Sequence, residues 1–492
     1  MLFTSYHPTF YHILITLTLN WATTSDICKT IVNEMKAWRH RSVLKLIEES
    51  QNSDPIDEIR NRARNLVLKA LEKGWAGPPF NATQLSTLLG IDILPNDSVL
   101  DARLISKGGQ KTVIEYNPFQ KPTRINFSVA HEIAHTFFSD FKDEIRNREE
   151  KPTENRELEQ LCNIGASEIQ LPYAVFSSDA NSIGEITIEN LIALATKYKA
   201  SLESVFIRFV EVINQPCAIM ICTFKDNKII IDYSNSSRSF SEEIPKNFVI
   251  PKDSKAYECS APGWSARETV QWEFLNQKYD VYCIGISPLR RDNQPRVGIL
   301  MVHKLNSVSL QDKKIKIEFG DATKPRGNGI KVIAQVVNTS GGLGLGFGKS
   351  LAKNFPVVKS LLQQWHDDKS RFQLGSSQLV KVSEDLYIFQ MLAQKGLFEK
   401  NGEIPLKYSH LRACLISLHD ACLKLNASVH MPMIGAGQAK GDWNVIQGII
   451  FDELVNKDID VNIYVFPGKV PVIKNKSSLT LFDEQSTWRK EK

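Results

Sequence analysis

SVAHEIAHTFF, residues 128–138, sets two histidines four residues apart inside an apolar run. Four residues advance an α-helix by about 400°, so His131 and His135 would lie about 40° apart on one face of a helix over about 125–139. Two imidazoles placed in this way can reach one Zn²⁺ at about 2.0–2.1 Å. Glu132 lies beside the first histidine, where it would be the general base for a water that attacks a peptide carbonyl. The alternative is a core helix whose histidines hydrogen-bond backbone groups.

A catalytic zinc also needs a third protein ligand and an open coordination position. The candidate is Glu159, 24 residues after His135, in the segment ELEQLCNIGASEIQLP. Glu157 and Glu154 are alternative ligands. Asn163 follows Glu159 by one helical turn, so it could steady the carboxylate of that residue.

Together, RINFSVAHEIAHTFF and EQLCNIGASEIQLP resemble the ImmA/IrrE-type metallopeptidases, in which two such motifs occur in this order. The resemblance covers about 50–215 and implies a mostly helical, zincin-like domain. It implies zinc ligands His131, His135 and Glu159, with Glu132 catalytic. It also implies a cytoplasmic, substrate-restricted protease, typically one that cleaves a helix-turn-helix repressor. Gly165 and Gln170 depart from the family pattern at positions that affect packing rather than ligands.

A second motif, VVNTSGGLGLGFGKSLAKNFP over 336–356, places glycines after a predicted strand and before a predicted helix. Backbone N–H groups of such a loop can approach a pyrophosphate, and the helix N-terminus favours negative charge. The loop is not a Walker motif, because Leu343 stands where that spacing requires its first glycine. The alternative is a tight strand-to-helix connection without a ligand.

The segments EFGDATKP, IAQVVNTSGGLGLGFG, FQMLAQKG and SVHMPMIGAGQAKGDW, in this order, resemble the macro domain in its Appr-1''-p processing branch. The resemblance covers about 315–468 and implies an α/β three-layer domain that binds ADP-ribose. Asp321 would accept a hydrogen bond from the adenine amino group, Asn338 would face the distal ribose, and two glycine loops would wrap the phosphates. The implied ADP-ribose-binding residues are Asp321, Ala322, Asn338, Gly341, Gly342, Gly344, Gly346, Phe347, Gly348, Gly435, Ala436 and Gly437.

The resemblance also bears on hydrolysis. Related domains that remove ADP-ribose from acidic side chains use a lysine and an aspartate, and Gln394 and Ala439 align with those two positions. Lys395 and Asp442 are near but offset, which favours a domain that binds ADP-ribose over one that hydrolyses it by that mechanism. Phosphatase action on ADP-ribose 1''-phosphate stays open.

The chain of 492 residues is too long for one ordinary core, which predicts a multidomain protein. Beta-rich runs over 216–304 predict a small α+β middle domain, with a weaker resemblance to GAF sensors. No Lys or Arg occurs before Lys29, so a signal peptide would lack its positive region. The first 34 residues are expected to be poorly structured or to precede a functional start at Met35, and the alternative is an amphipathic N-terminal helix that begins at Met1. The predicted boundaries are 1–50 for a poorly ordered extension, 51–214 for the peptidase domain, 215–304 for the middle domain, 305–314 for a linker, 315–470 for the macro domain and 471–492 for a tail.

Composition sets further limits. A net charge of +5 from 60 basic and 55 acidic residues is too balanced to argue for a nucleic-acid or membrane surface. The eight cysteines form no C-x-x-C pair, which favours a reducing compartment such as the cytoplasm. We therefore expect a Zn²⁺-dependent metallo-endopeptidase coupled to an ADP-ribose-binding domain. The rivals are an ADP-ribose-processing enzyme whose peptidase unit only recognises partners, and a non-catalytic binding module.

Overall fold

The structure is a computed structural model that describes residues 38–106, 111–142, 146–147, 155–288, 294–303, 315–343, 346–399 and 403–465. The expected linker, the expected tail, residues 1–37 and the question of Met1 or Met35 lie outside the described residues. The described part forms three units, which follow one another along the chain.

The first unit is mostly helical, as expected. Asn81 accepts a hydrogen bond from the Gln84 N–H at 3.0 Å, which is the cap that the sequence predicts for the short helix after it. The helices are α1 Arg41–Glu49, α2 Pro55–Glu72, α3 Ala82–Leu88, α4 Pro122–His135, α5 Arg156–Gln170, α6 Tyr173–Asn181, α7 Ile188–Tyr198 and α8 Leu202–Val212. A small sheet in the order β1-β3-β2-β4 packs on α4, with strands β1 Asp92–Pro95, β2 Ala102–Ile105, β3 Val113–Tyr116 and β4 Arg146–Asn147.

Two expectations for this unit need correction. Residues 38–50 were assigned to a poorly ordered extension, but α1 buries Val43 and Leu46 in the core of the unit. The helix α6 was not predicted, because Pro172 was interpreted only as the end of the preceding helix. Pro172 also caps α6, since a fixed φ of −55° suits the entry to a new helix.

The middle unit is a five-stranded antiparallel sheet in the order β6-β5-β9-β8-β7. One face adds to the core of the first unit, and the other face has a core of its own. The edge strand β7 was missed because SARETV has no apolar run. A GAF-like function of this unit stays a prediction. The strands are β5 Cys217–Lys225, β6 Lys228–Ser236, β7 Ser265–Val270, β8 Tyr279–Ile286 and β9 Arg296–Val302.

The third unit has a six-stranded sheet in the order β10-β15-β14-β11-β13-β12, parallel except for the edge strand β12. Separate apolar cores cover its two faces, so the three-layer α/β arrangement is present. The single helix expected over 348–365 is two helices, because Pro356 cannot continue the first one. The elements are β10 Lys316–Phe319, β11 Ile330–Asn338, α9 Gly346–Asn354, α10 Pro356–Asp367, β12 Ser377–Lys381, β13 Leu386–Gln394, α11 Tyr408–Leu425, β14 Ala427–Pro432, α12 Trp443–Glu453 and β15 Val461–Val465.

The first and third units share a buried polar contact. The Arg64 guanidinium donates to both carboxylate oxygens of Asp452, at 2.9 and 2.8 Å, and lies 3.5 Å from Glu168. Glu168 in turn accepts from Arg208 at 3.0 Å. Burial opposes ionisation of Glu168, but the facing Arg208 and Arg64 guanidiniums lower its pKa below the usual value. Each buried charge therefore has a partner, which is what makes its burial tolerable.

The helices α6 and α12 pack closely at this junction, where Gly448 lies against the backbone of Ala174. A Cβ atom on Gly448 would lie 1.8 Å from the carbonyl oxygen of Ala174. We expect Gly448→Ala to lower the free energy of unfolding by about 1–3 kcal/mol, because the two helices must separate. Thermal unfolding measures this change. Gly184→Ala is the control, since nothing lies within 4 Å of its added Cβ, and equal effects of the two variants would contradict the close contact.

His430 predicts a pH dependence of stability in the third unit. Its ring lies between Ser428 at 2.9 Å and Tyr464 at 3.1 Å, and burial, with Lys331, lowers the pKa from 6.5 to about 4. The unfolded chain therefore binds a proton that the folded chain does not, so this contribution to stability is present above pH 6.5 and is lost as the pH falls towards 4. Unfolding measured across this range should depend less on pH in His430→Gln. An unchanged slope would contradict a neutral His430.

Among the described helices, none combines the length and the apolar character that crossing a membrane requires.

Candidate metal centre and ligand-binding edge

The helix α4 holds the two histidines and the glutamate of the first motif in the core. Pro122 lies in the first turn, where its missing N–H breaks no helical hydrogen bond. Every residue from Ser128 to His135 is buried, and His131, Glu132 and His135 are at most 2% exposed. The helix ends at His135, four residues before the predicted end at 139, so the second histidine belongs to the last helical turn.

The helix α5 packs directly on α4 because Gly165 lets the backbones approach. A Cβ atom on Gly165 would lie 2.8 Å from the Cβ of Ala134 and 3.1 Å from the Phe137 ring. The departure from the family pattern at this position therefore has a packing function. Its consequence is that Glu159, in the first turn of α5, lies opposite the two histidines.

The three predicted ligands come together. The Nε2 atom of His131 lies 3.1 Å from one carboxylate oxygen of Glu159, and the Nε2 atom of His135 lies 3.6 Å from the other. Two ligands of a tetrahedral zinc at about 2.0–2.1 Å lie roughly 3.3 Å apart, so both separations suit one ion. Two imidazoles and a carboxylate are also donors that zinc accepts. The side chain of Glu159 is 23% exposed, which leaves the site open on its side.

The opposite ring nitrogens are held by neighbours on α5. The Nδ1 atom of His131 lies 3.0 Å from Asn163 Oδ1, and the Nδ1 atom of His135 lies 3.3 Å from Cys162 Sγ. Asn163 thus contacts a predicted ligand, His131, and its expected support of the Glu159 carboxylate stays a prediction. Cys162 was not foreseen, although its position three residues after Glu159 places it on the same face of the helix.

A second set of side chains could also hold a metal. One nitrogen each from His131 and His135 and the sulfur of Cys162 lie within 4.8 Å of one another. The sulfur, however, approaches the Nδ1 side of His135, whereas Nε2 of the same ring faces Glu159. A metal held through both Nε2 atoms therefore lies across the ring from Cys162. The geometry favours Glu159 as the third ligand.

The sequence also indicates two alternative carboxylate ligands for zinc, Glu157 and Glu154. Glu157 accepts hydrogen bonds from the backbone N–H groups of Arg39 and His40 at 2.7 and 2.9 Å, so it anchors the N-terminal segment. Glu154 lies outside the described residues. Within the described range, Glu159 is the predicted carboxylate that the structure brings to both histidines.

The metal centre opens into a cleft of about 2270 Å³. Glu159 and Asn163 lie in its lining, together with residues from α7, α8 and the middle unit. The middle unit contributes Tyr233, the turn at Pro262 and Gly263, and the end of β8. A cleft of this volume exceeds that of an ordinary small-molecule pocket, so it can accommodate a segment of a polymer.

In the third unit, the predicted ligand-binding residues lie at one edge of the sheet. Asp321 follows β10, Asn338 ends β11 and Gly435 follows β14, and these strands run in the same direction. The carboxyl ends of parallel strands form the usual ligand crevice of an open α/β sheet. The N-termini of α9 and α12 follow β11 and β14, so two helix ends that favour anions lie at this edge.

Two glycines of the loops have left-handed backbones that other residues adopt only with strain. Gly341 has φ of +69°, and a Cβ there would lie 2.6 Å from His366. Gly435 has φ of +72°, and its Cβ would lie 2.8 Å from Leu406. The remaining predicted residues of these loops, except Gly344, are described, and they are Ala322, Gly342, Gly346, Phe347, Gly348, Ala436 and Gly437. Gly344 lies outside the described residues.

The two polar side chains predicted to bind ligand hold their own turns in this structure. Oδ1 of Asp321 accepts from the Thr323 N–H at 2.9 Å, and Oδ1 of Asn338 accepts from the Ser340 N–H at 2.9 Å. These bonds fix where each side chain starts at the sheet edge.

Comparison with known proteins finds matches for two parts of the chain. Residues 89–209 match Peptidase_M78, the IrrE N-terminal-like domain. A macrodomain protein from Streptomyces coelicolor is 33% identical over 31% of this chain and 100% of its own, with a TM-score of 0.28. The chain joins an IrrE-like peptidase domain to a macrodomain. The sequence identity over the full length of the relative carries the macrodomain assignment, because the TM-score is too low to do so.

Two further solved structures are similar to this chain. A protein of unknown function from Bacteroides thetaiotaomicron is 38% identical over 31% of this chain and 97% of its own, with a TM-score of 0.30. Thermosipho africanus DarTG, solved in complex with ADP-ribose, is 18% identical over 29% of this chain and 39% of its own, with a TM-score of 0.24. The second likeness is too distant to carry an argument about the ligand of this macrodomain.

The residues considered for hydrolysis lie at the same edge of the macrodomain. Gln394 ends β13 and donates to the Gly396 carbonyl at 2.9 Å, and Lys395 follows it. Ala439 is buried, and Asp442 caps α12 by accepting from the Asn444 N–H at 2.8 Å. Asp442 therefore has a structural function at the helix start.

Proposed function

We propose that the chain is a zinc-dependent metallo-endopeptidase whose macrodomain binds ADP-ribose, and that it cleaves a regulatory protein. The observation that carries the peptidase half is the convergence of His131 Nε2 and His135 Nε2 on the Glu159 carboxylate, at 3.1 and 3.6 Å. The Peptidase_M78 match over 89–209 supports the same reaction class. A helix-turn-helix repressor is the substrate that the family resemblance suggests.

In this proposal His131, His135 and Glu159 hold zinc, and Asn163 and Cys162 orient the two rings. Zinc supplies Lewis acidity that polarises the scissile carbonyl and acidifies water. Glu132 is buried beside His131 and takes the proton from the attacking water at a carboxylate oxygen. It then gives a proton to the leaving amine. The exposed side of Glu159 faces the cleft, through which the peptide enters.

In the macrodomain, Asp321 accepts from the adenine amino group and Asn338 contacts the distal ribose. The glycine loops at 341–348 and 435–437 bind the two phosphates through backbone N–H groups. The N-terminus of α9, which follows β11 at this edge of the sheet, supports an anionic ligand. The choice of ADP-ribose rests on the four sequence segments that resemble the macro domain.

ADP-ribose, or an ADP-ribosylated protein, would recruit or gate the peptidase. The buried contact of Arg64 with Asp452 and Glu168 joins α12 of the macrodomain to α5, the helix that carries Glu159. Gating requires a coupling free energy that acts equally in both directions. If ADP-ribose changes neither the cleavage rate nor the zinc affinity of the purified chain, gating is wrong and recruitment remains.

The contact between Cys162 and His135 allows a test of the zinc site. In a ring that binds metal through Nε2, Nδ1–H donates to the Sγ atom, and loss of such a partner lowers metal affinity by about 10–100-fold. We expect this loss in Cys162→Ala and much less of it in Cys162→Ser, which keeps an acceptor. Competition with a fluorescent chelator measures zinc affinity directly.

A larger loss of zinc affinity in Cys162→Ser than in Cys162→Ala would contradict this function of Cys162. If the side chain only fills space, alanine is tolerated and the buried hydroxyl of serine is the worse replacement. Both variants fill less volume than cysteine, so their comparison separates hydrogen bonding from packing.

A second candidate is an ADP-ribose-processing enzyme with the peptidase unit as a partner-recognition domain. The position of Lys395 at the carboxyl end of β13, the ligand edge of the sheet, favours it. The test is release of ADP-ribose from modified proteins, or of phosphate from ADP-ribose 1''-phosphate, by the Glu132→Gln chain. Release at the wild-type rate, with no peptide cleavage by either chain, would favour this candidate.

A further inference from the structure

The cleft has two walls from different units. One wall is the peptidase domain, including Glu159, and the other is the middle unit. The walls are fixed to each other by the buried Arg296 of β9, which donates to both carboxylate oxygens of Glu203 at 3.1 and 2.7 Å. Tyr233 donates to the same carboxylate at 2.6 Å. These side-chain contacts therefore hold the middle unit in place as one wall of the cleft.

The charges in the cleft are not balanced. Of its acidic lining residues, Asp101 pairs with Arg124 at 2.5 Å, Glu203 pairs with Arg296, and Glu159 belongs to the metal centre. Three exposed basic side chains of the lining, among the described residues, have no acidic partner. They are Lys121, Arg156 and Lys199. They lie at the start of α4, the start of α5 and the end of α7, so three different helix ends contribute them to the lining.

Between these cations the lining is apolar and accessible. Phe119 is 84% exposed, Leu100 57% and Ile192 40%. Apolar side chains at this exposure contribute binding energy when a partner covers them. A segment that fits this lining carries both apolar and acidic side chains.

We infer that the cleft recognises an extended acidic segment of the protein substrate, and that Lys121, Arg156 and Lys199 determine this preference. The inference rests on the proposed peptidase function, whose substrate class it names. An extended peptide would lie with its scissile bond near Glu159 and its acidic side chains towards the three cations. Three separate cations are fewer than the continuous run that tracks a nucleic-acid backbone, which favours a peptide over a nucleic-acid strand.

Peptide binding tests this without any cleavage. The full chain carrying Glu132→Gln is titrated with three fluorescent peptides that differ only in whether their polar positions are Glu, Gln or Lys. Anisotropy should give the tightest binding for the Glu peptide and the weakest for the Lys peptide. The preference should weaken as salt is added, because exposed charges are screened.

Charge reversal in the cleft provides the specific variant. Lys121→Glu with Lys199→Glu should weaken binding of the Glu peptide about tenfold and strengthen that of the Lys peptide. A misfolded variant would lose binding of both peptides, so misfolding cannot explain weaker binding of one and stronger binding of the other. Lys424→Glu reverses the charge of an exposed side chain on α11 of the macrodomain and is the control. It should change neither the affinity for the Glu peptide nor that for the Lys peptide.

The outcomes separate this inference from the proposed function. Equal binding of the three peptides, or a preference that the double reversal leaves intact, overturns the inference. Displacement of the Glu peptide by a single-stranded oligonucleotide also overturns it and assigns the cleft to nucleic acid. If the wild-type chain cleaves all three peptides equally, the peptidase stands and the preference is wrong. If the Glu peptide binds best but is never cleaved, the preference stands and the peptidase is wrong.

Discussion

Glu132→Gln should abolish peptide cleavage while zinc stays bound. The amide keeps the shape of the carboxylate but accepts no proton, and loss of a general base lowers rates by about 10²–10⁴-fold. The zinc ligands are unchanged, so metal analysis should find the same zinc content in both chains. The assay compares cleavage of the Glu-containing peptide by wild type and variant at equal zinc loading.

Glu157→Gln is the matched control for this prediction. It makes the same change on α5, at a carboxylate that holds the backbone of Arg39 and His40 instead of the metal centre. It should keep both zinc and cleavage. Undiminished cleavage by Glu132→Gln would show that Glu132 is not the general base. Loss of zinc in Glu157→Gln would show that Glu157, and not Glu159, is the third ligand.

Asp321→Ala should weaken ADP-ribose binding by about 10–100-fold. A hydrogen bond to a charged group contributes about 1.5–3 kcal/mol, and the carboxylate lies at the ligand edge of the macrodomain, directly after β10. Calorimetric titration of the full chain with ADP-ribose measures the affinity. Asp420→Ala, which removes an exposed carboxylate of α11, should leave it unchanged.

The wild-type titration decides what the macrodomain does. Binding that is lost in Asp321→Ala makes this an ADP-ribose-linked protein, and cleavage assays with the ligand then distinguish gating from recruitment. No binding by wild type would contradict the ligand assignment. The macrodomain would then be a scaffold that holds the peptidase through Arg64 and Asp452.

The sequence predicted the two halves because each has two or more linked motifs. Spacing alone placed His131 and His135 on one face, and the order of the segments indicated Glu159 and the macrodomain loops. Elements without apolar periodicity were missed. The edge strand β7 carries polar residues on its exposed side, and β12, with the sequence SQLVK, has only two apolar residues, of which Leu379 is exposed.

Contacts between distant segments could not be derived from local patterns. Spacing shows which residues share a helical face, but it does not show that Asn163 lies beside the ring of His131. The Arg64–Asp452 pair joins positions 388 residues apart, and the composition of either helix gives no sign of it. The cleft likewise depends on how the middle unit packs against α8.

Zinc K-edge absorption spectroscopy on the purified full chain tests the metal centre most directly. Two histidines and Glu159 predict nitrogen and oxygen ligands alone, at about 2.0–2.1 Å. A sulfur shell near about 2.3 Å would contradict this account, because it would make Cys162 a ligand instead of the partner of His135.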